Sequence, residues 1–311
     1  MPIISDSKKD IAVDILNNEL NIVPMELTRF TTGNCHSVYY VKTKIDEYVL
    51  RITSEENKKF YFGSIKWLNE LNRLDIPVPN ILNHGQYGNV YYALITFIRG
   101  QDIGEIYHTL NGSQKHGIVK DLSEIQKKVS ALPSSGIYGY DNNSFTTWPK
   151  YIESRIERSR RRIIANKVFS SQVCDNVFTI MNNHSDYLSN IEPIAFLDDI
   201  TTKNVLVHNG KLAGIVDLDC LCYGDPLITV GLTNMALLSM RLDTQYIDYW
   251  LNEFHADKTQ RKAVAFYTML FCIDFMGEQG MRFNNDNLVS INQEKIELLN
   301  SIYSVLAKDL I

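Results

Sequence analysis

Phe196–Pro226 reads FLDDITTKNVLVHNGKLAGIVDLDCLCYGDP. Ile194–Leu197 is apolar and runs into Asp198 and Asp199, Asn204 opens the apolar Val205–Val207, and after Asn209 and Gly210 a further run, Gly214–Val216, delivers Asp217. Apolar run, Asn-Gly turn and apolar run together specify a β-hairpin. That hairpin and the loop before it aim three oxygen ligands, from Asp199, Asn204 and Asp217, at one point. Magnesium takes an octahedral oxygen shell and keeps several waters, so one carboxylate, one amide and the phosphates of a nucleotide suffice for it. Asp199, which the metal does not need, is then able to accept the proton of an attacking hydroxyl. These are the parts that phoshoryl transfer from a magnesium nucleotide requires.

The rest of the chain is compatible with such chemistry and excludes other classes. At 311 residues it can bury a substantial core as one large or two medium domains. A net charge of -5 and a pI near 5.8 argue against a nucleic-acid partner and favour neutral or cationic small molecules. Five scattered cysteines (Cys35, Cys174, Cys220, Cys222 and Cys272) form neither a disulfide framework nor a zinc ribbon. Cys220 and Cys222, one residue apart near His208, are too close for the usual zinc knuckle. The N-terminus MPIISDSKKD has no basic region followed by an apolar stretch, and no uncharged apolar run reaches spanning length. The expectation is a cytoplasmic protein with no membrane partner.

Helical spacing marks a first helix over Lys8–Leu20, followed by strands at Met25–Phe30, His36–Lys42 and Glu47–Ile52. A helix over Glu55–Leu74 ends at Pro77-Val78-Pro79, and strands at Ile81–Gly85 and Val90–Ile98 complete a small sheet. Beyond Gly100 the pattern is helical: Ile118–Leu132, Trp148–Ile164, Ser170–Leu188, Leu227–Met240, Thr244–Phe254, Thr259–Met281 and Gln293–Lys308. Ser134–Thr147 and Phe283–Asn292 read as loops. The predicted division is an N-terminal nucleotide-binding lobe, residues 1–98, and a C-terminal catalytic and substrate-binding lobe, residues 99–311.

Six short pieces carry a resemblance to a known family. Asp199 and Asn204 match a motif of the form HGDxxxxN, although Leu197 and Asp198 replace its histidine and glycine, and Val216–Asp219 is similar to an IDF or IDW segment. Tyr223–Pro226 resembles a GDP signature, and Tyr48–Arg51 resembles a strand ending in a phosphate-gripping base. Phe30–Tyr39, with Gly33, sits where a glycine-containing loop covers phosphates, and Thr96–Gly100 sits where a hinge meets adenine. Taken together the chain resembles the aminoglycoside phosphotransferase and choline kinase family, which has the protein-kinase-like fold.

The resemblance implies an α+β, bilobal protein-kinase-like fold, with a small antiparallel sheet and one helix joined to a larger, mainly helical lobe. It implies ATP, or alternatively GTP, with Mg2+ as cofactors. Asp199 would be the catalytic base, with Asn204 and Asp217 as metal ligands. Arg51 would grip phosphates, Gly33 would offer its amide to them, and Thr96 and Ile98 would contact adenine through backbone groups. Asp274 and Glu278, on a late helix, would present acid to a cationic acceptor. The acidic partner of Arg51 expected on the following helix is absent, because Ser64 stands there. Asp219 is read as an extra ligand or a turn cap, and Asp225 as an organiser of the catalytic loop or a helix cap. Alternation alone would make Arg51 a surface charge at a strand edge, and ESRIERSRRRI (Glu153–Ile163) a solvated helix face. The expected acceptor is a small hydroxylated molecule, first of all an aminoglycoside, with choline, homoserine, methylthioribose and macrolides as others. A catalytically silent nucleotide-binding scaffold is the alternative, and the oligomeric state is left open.

Overall fold

Alternating apolar positions build the first part of the chain into a sheet. In the computed structural model, which describes residues 7–30, 36–134, 136–140, 143–283 and 287–310, helix α1 (Ser7–Asp14) continues into a π-turn at Ile15–Glu19. There follow β1 (Glu26–Phe30), β2 (Ser37–Lys42), β3 (Glu47–Ser54), α2 (Lys58–Arg73), β4 (Ile81–Tyr87) and β5 (Val90–Thr96). The strands pair antiparallel in the order β1-β2-β3-β5-β4. Side chains alternate across a strand, so Leu50 and Ile52 of β3 share one face, where Ala12, Ile15 and Leu16 pack with Tyr39, Val41 and Leu94. Arg51 and Thr53 point to the other face. Both faces are covered, for Leu50, Arg51, Ile52 and Thr53 are all buried. Arg51 therefore differs from the exposed strand-edge charge that alternation suggests: it is 6% exposed, on the middle strand of five.

The chain divides into two compact units. One is Met1–Arg99 with Gly214–Cys220 and Arg282–Asn287, and the other is Gly100–Ala213, Leu221–Met281 and Leu288–Ile311. The second begins with β6 (Gln101–Asp102), α3 (Ile103–Ile106) and α4 (Gly112–Ser130), then β7 (Tyr138–Tyr140), β8 (Asn143–Phe145), α5 (Trp148–Asn166), α6 (Gln172–Asn183) and α7 (Ser185–Ser189). It continues through β9 (Ile194–Phe196), β10 (Val205–His208), the start of β11 (Lys211–Ile215, whose Gly214 and Ile215 fall in the first unit), β12 (Cys222–Gly224), α8 (Leu227–Ser239), α9 (Gln245–Glu253), α10 (Lys258–Gly277) and α11 (Gln293–Leu310). Two departures from the sequence pattern have local causes. Helix α4 starts at Gly112 rather than Ile118 because Asn111 and Gln114 form a reciprocal capping box. The expected loop over Ser134–Thr147 contains the hairpin β7–β8, which joins a sheet in the order β8-β7-β12-β9 and so finds backbone partners.

The GDP-like segment is a packing device at the start of α8. Asp225 is 4% exposed, and its oxygens accept from the Tyr187 hydroxyl (2.6 Å), the Tyr267 hydroxyl (2.7 Å) and the Leu227 amide (3.0 Å). Burial pushes its carboxyl above the usual range, and those three donors oppose the shift. Tyr267 also accepts from the indole Nε1 of buried Trp148 at 2.9 Å. Among the described residues no helix is long and apolar enough to cross a membrane.

Gly224 has φ +146°, and a Cβ placed on it would lie 2.1 Å from the Trp148 ring. Gly224→Ala is expected to lower stability by about 1–3 kcal/mol through overpacking. A urea midpoint unchanged by the substitution would contradict that packing constraint.

Candidate active site

In the first unit the site grows from a buried charge. Arg51 donates through Nη1 to Ser64 Oγ (2.8 Å) and through Nη2 to Asp219 Oδ1 (2.6 Å) and Asp217 Oδ1 (3.2 Å). The other oxygen of Asp219 lies 2.7 Å from His36 Nε2, and His36 Nδ1 lies 2.7 Å from Thr53 Oγ1. Burial raises the Asp219 carboxyl, but the Arg51 charge and the His36 hydrogen bond outweigh it and hold the group down at about 2. The side chain of Asp219 is 13% exposed and that of Asp217 is 51% exposed. So one acid of the pair neutralises the guanidinium while the other stays open. Asp217 adopts φ +62°, a conformation that aspartate tolerates better than most residues.

Ser64 explains how the missing helix acid is replaced. It stands on α2 where a carboxylate was expected and takes one hydrogen bond from Arg51, and the compensating charge comes instead from Asp219, two residues past Asp217. Asp219 is thus an ion-pair partner rather than a turn cap. Two more residues hold its segment. The Ile215 amide donates to Pro77 O (2.8 Å), and Gly63 on α2 leaves room for the carbonyl of Asp219, which a Cβ there would meet at 2.0 Å. His36 and Gly63 were missed from sequence. A glycine inside a helix costs about 1 kcal/mol relative to alanine, and that is the signal that a backbone comes close. Thr96 commits its amide to Asn80 O and its hydroxyl to the Asn80 amide, both at 2.9 Å, and Ile98 lies against Gly214. Gly33 lies outside the described residues.

In the second unit a clamped loop carries Asp199 and Asn204. Leu197 is fully buried where a histidine was expected, and buried Gln126 grips its backbone, donating to Leu197 O (3.3 Å) and accepting from Leu197 N (3.0 Å). Thr229 of α8 also donates to Leu197 O at 3.1 Å, and the Gly104 amide donates to Thr202 O at 2.9 Å. The Tyr140 hydroxyl donates to Asp198, which makes that carboxylate a structural acceptor. Asp199 is exposed, its Oδ1 accepts from Thr201 Oγ1 (3.0 Å), and its carbonyl accepts from Asn204 Nδ2 (2.9 Å). The Asn204 bond ties the two residues that the sequence motif spaces five apart. It uses the amide nitrogen and leaves the amide oxygen to act as a ligand.

The two acids of the late helix have different surroundings. Asp274 is 7% exposed and accepts from Arg158 (2.7 Å), Arg155 (3.3 Å), Arg162 (3.0 Å) and the Ser159 hydroxyl (3.2 Å). Burial raises its carboxyl, but the three guanidiniums prevail and keep it below the usual range. Glu278 lies 3.9 Å from Arg162, and burial and the neighbouring Asp274 push it up to about 6. The arginines of α5 are therefore not simply a solvated face. The Arg155 side chain is only 12% exposed, against Asp274, and of the α5 arginines only Arg161 is fully open, because the i, i+3, i+4 and i+7 positions of α5 line up on α10.

Residues 26–266 match the model of the phosphotransferase enzyme family. A point variant of aminoglycoside 2'-phosphotransferase-IIIa, solved with GDP, aligns with TM-score 0.75 at 16% identity over 98% of this chain and 100% of that one. A thermostable variant of aminoglycoside phosphotransferase APH(4)-Ia, solved with AMP-PNP and hygromycin B, aligns with TM-score 0.66 at 15% identity over 96% and 98%. A protein described as a candidate fructosamine-3-kinase from Haemophilus somnus 129PT gives 0.65 at 12% identity over 95% and 96%. No curated protein sequence matches the chain. The fold is the protein-kinase-like one.

Asp219→Asn leaves buried Arg51 without its main anion and is expected to cost about 3 kcal/mol, whereas Asp217→Asn, at a half-exposed partner, is expected to cost less than about 1 kcal/mol. Equal losses in urea denaturation would contradict the assignment of Asp219 as the principal partner. Glu278, raised from 4.5 to about 6 in the folded protein, binds a proton that the unfolded chain has released between those values. Its contribution to stability therefore falls as pH rises through that window. Glu278→Gln should flatten the change in denaturation midpoint between pH 4.5 and 6, and an identical slope in both proteins would refute it.

Proposed function

This chain belongs to the phosphotransferase enzyme family and is a small-molecule kinase, and on that premise we propose that it moves the γ-phosphoryl group of ATP, with GTP as alternative donor, to a hydroxyl of a small acceptor. Asp199 is the catalytic base: an open carboxylate, oriented by Thr201 and carried on a loop whose backbone is clamped by Gln126, Thr229 and Gly104. That fixed, exposed carboxylate is the observation on which the reading rests. A base so held needs no reorganisation to receive the hydroxyl proton, and it aligns the oxygen for in-line attack.

Magnesium fits the donors available. Asp217 offers a half-exposed carboxylate and Asn204 an amide oxygen, both hard oxygen donors, while among the described residues no three His, Cys, Asp or Glu side chains are grouped as an all-protein metal cage would require. When bound, the ion would neutralise charge on the nucleotide phosphates. Arg51 sets a permanent positive charge beside Asp217 and, with Asp219, fixes where that carboxylate sits. Thr96 and Ile98 are assigned to the nucleotide base, and Gly33 to the phosphates, by the same reading.

Aminoglycosides lead the acceptor panel because the solved neighbours include aminoglycoside phosphotransferases. Of the two acids proposed to meet a cationic acceptor, Asp274 already serves three arginines and Glu278 keeps the weaker contact, so neutral polyols and hydroxylated anions belong in the panel as well. Asp199→Ala should lower kcat by about 10²- to 10⁴-fold in a magnesium-dependent ATP-consumption assay while leaving nucleotide affinity unchanged. Undiminished phosphorylation by that variant would remove Asp199 from the mechanism.

A further inference from the structure

Three arginines on one face of α5 meet only two carboxylates, and a fourth, Arg161, stands beside them. Arg158, Arg161 and Arg162 of α5 line a pocket of about 430 Å³ together with Ala165, Asn166, Gly280 and Met281. Behind its wall, Arg155, Arg158 and Arg162 all converge on Asp274, and Glu278 reaches Arg162 only at 3.9 Å. Arg161 is exposed and has no ion pair among the described residues. A single guanidinium with good geometry is enough to neutralise one buried carboxylate, so the cluster holds more cation than its own anchoring needs. Arg158 records the excess in two ways. Its Nε is buried with no hydrogen-bond partner among the described residues, and burial together with the neighbouring Arg155 charge depresses the guanidinium below its ordinary value. An unsatisfied buried donor and crowded like charges both cost free energy, and an anion bound beside Arg158, Arg161 and Arg162 relieves the second.

We propose that the pocket over Arg158, Arg161 and Arg162 binds the phosphate or carboxylate group of a small organic molecule. Its volume exceeds that of an inorganic anion and is in the range of small-ligand sites, so the anion is one end of a larger molecule. Arginine forks are the usual partner for such groups. A short series of side chains connects the cluster behind the pocket with the loop that carries Asp199. Arg155 donates to the Tyr151 hydroxyl (3.1 Å), the Tyr151 ring meets Tyr140 edge-on at 6.2 Å, and Tyr140 donates to Asp198, the neighbour of Asp199. The occupant is either the acceptor, held by its anionic end, or an effector acting through that series.

The binding claim stands apart from the proposed reaction and is tested first. Glucose 6-phosphate is titrated calorimetrically into the full chain, with Arg161→Gln and Arg158→Gln as pocket variants and Arg51→Gln as the control for phosphate binding elsewhere. Arg161 is exposed and unpaired among the described residues, so its variant is expected to melt with the parent. Binding is expected in the parent and in Arg51→Gln, and it should weaken about tenfold or more in Arg161→Gln and further in Arg158→Gln, since a charge-assisted hydrogen bond is worth about 1.5–3 kcal/mol. No binding to the parent, or equal affinity in Arg161→Gln, would overturn the proposal and leave the cluster as an anchor for Asp274 alone. Hydroxylated anions in the phosphorylation assay then separate the two sources: an acceptor appears as phosphorylated product with KM raised in Arg161→Gln, an effector as changed turnover of another acceptor with the anion recovered intact.

Discussion

A guanidinium can be buried only beside an anion, and Arg51 is buried on the middle strand of its sheet. That requirement organises the first unit. Asp219 supplies the anion, His36 satisfies its second oxygen and is itself held by Thr53, and Ser64 takes another direction of the fork. The segment Gly214–Cys220 is thereby fastened to the sheet and to α2, with Gly63 removing the side chain that would keep them apart. Asp217, two residues before the anchor, gains a fixed position without losing its exposure. A residue that must both hold still and remain free for a ligand is best placed next to one that does the holding.

The loop of the second unit that carries Asp199 uses the opposite strategy, fixing backbone rather than charge. Gln126 and Thr229 grip Leu197 from two helices, Gly104 grips Thr202, and Tyr140 engages Asp198. Leu197 can replace a histidine here because the interactions that position the loop run through its amide and carbonyl, not its side chain. The GDP-like segment contributes through packing, since Asp225 accepts from the Leu227 amide at the start of α8 and from two tyrosines, and α8 in turn carries Thr229.

Those parts of the fold set by local pattern could be read before the coordinates: the five strands of the sheet, the Asn209–Gly210 turn, and most helices of the second unit. Asp199, Asn204 and Asp217 stood out in the sequence by their spacing and hairpin context, and the structure leaves the Asp199 and Asp217 carboxylates exposed. What stayed hidden depended on tertiary partners. Asp219 read as a ligand or a cap until Arg51 was seen buried against it, and Ser64 marked a missing acid without showing where its substitute lay. Arg155, Arg158 and Arg162 looked solvated because charge and helical period say nothing about a carboxylate on another helix. The helix glycine Gly63 did carry a signal, a residue unfavourable to its own element, whose meaning needed the carbonyl of Asp219 to appear.

Membership of the phosphotransferase enzyme family supplies the reaction, and the departures of this chain from the family pattern show what that reaction depends on. The central claim is that Asp219 has taken over the charge that a helix acid would have provided to Arg51. The direct measurement is magnesium-nucleotide affinity in Asp219→Asn and in Asp219→Asn/Ser64→Asp, where the second substitution returns a carboxylate to α2 at the point Arg51 already touches. The account predicts a loss of about tenfold or more in the single variant and recovery of most of it in the double, a difference of roughly 1.4 kcal/mol or more. A double variant that binds nucleotide no better than the single would contradict it.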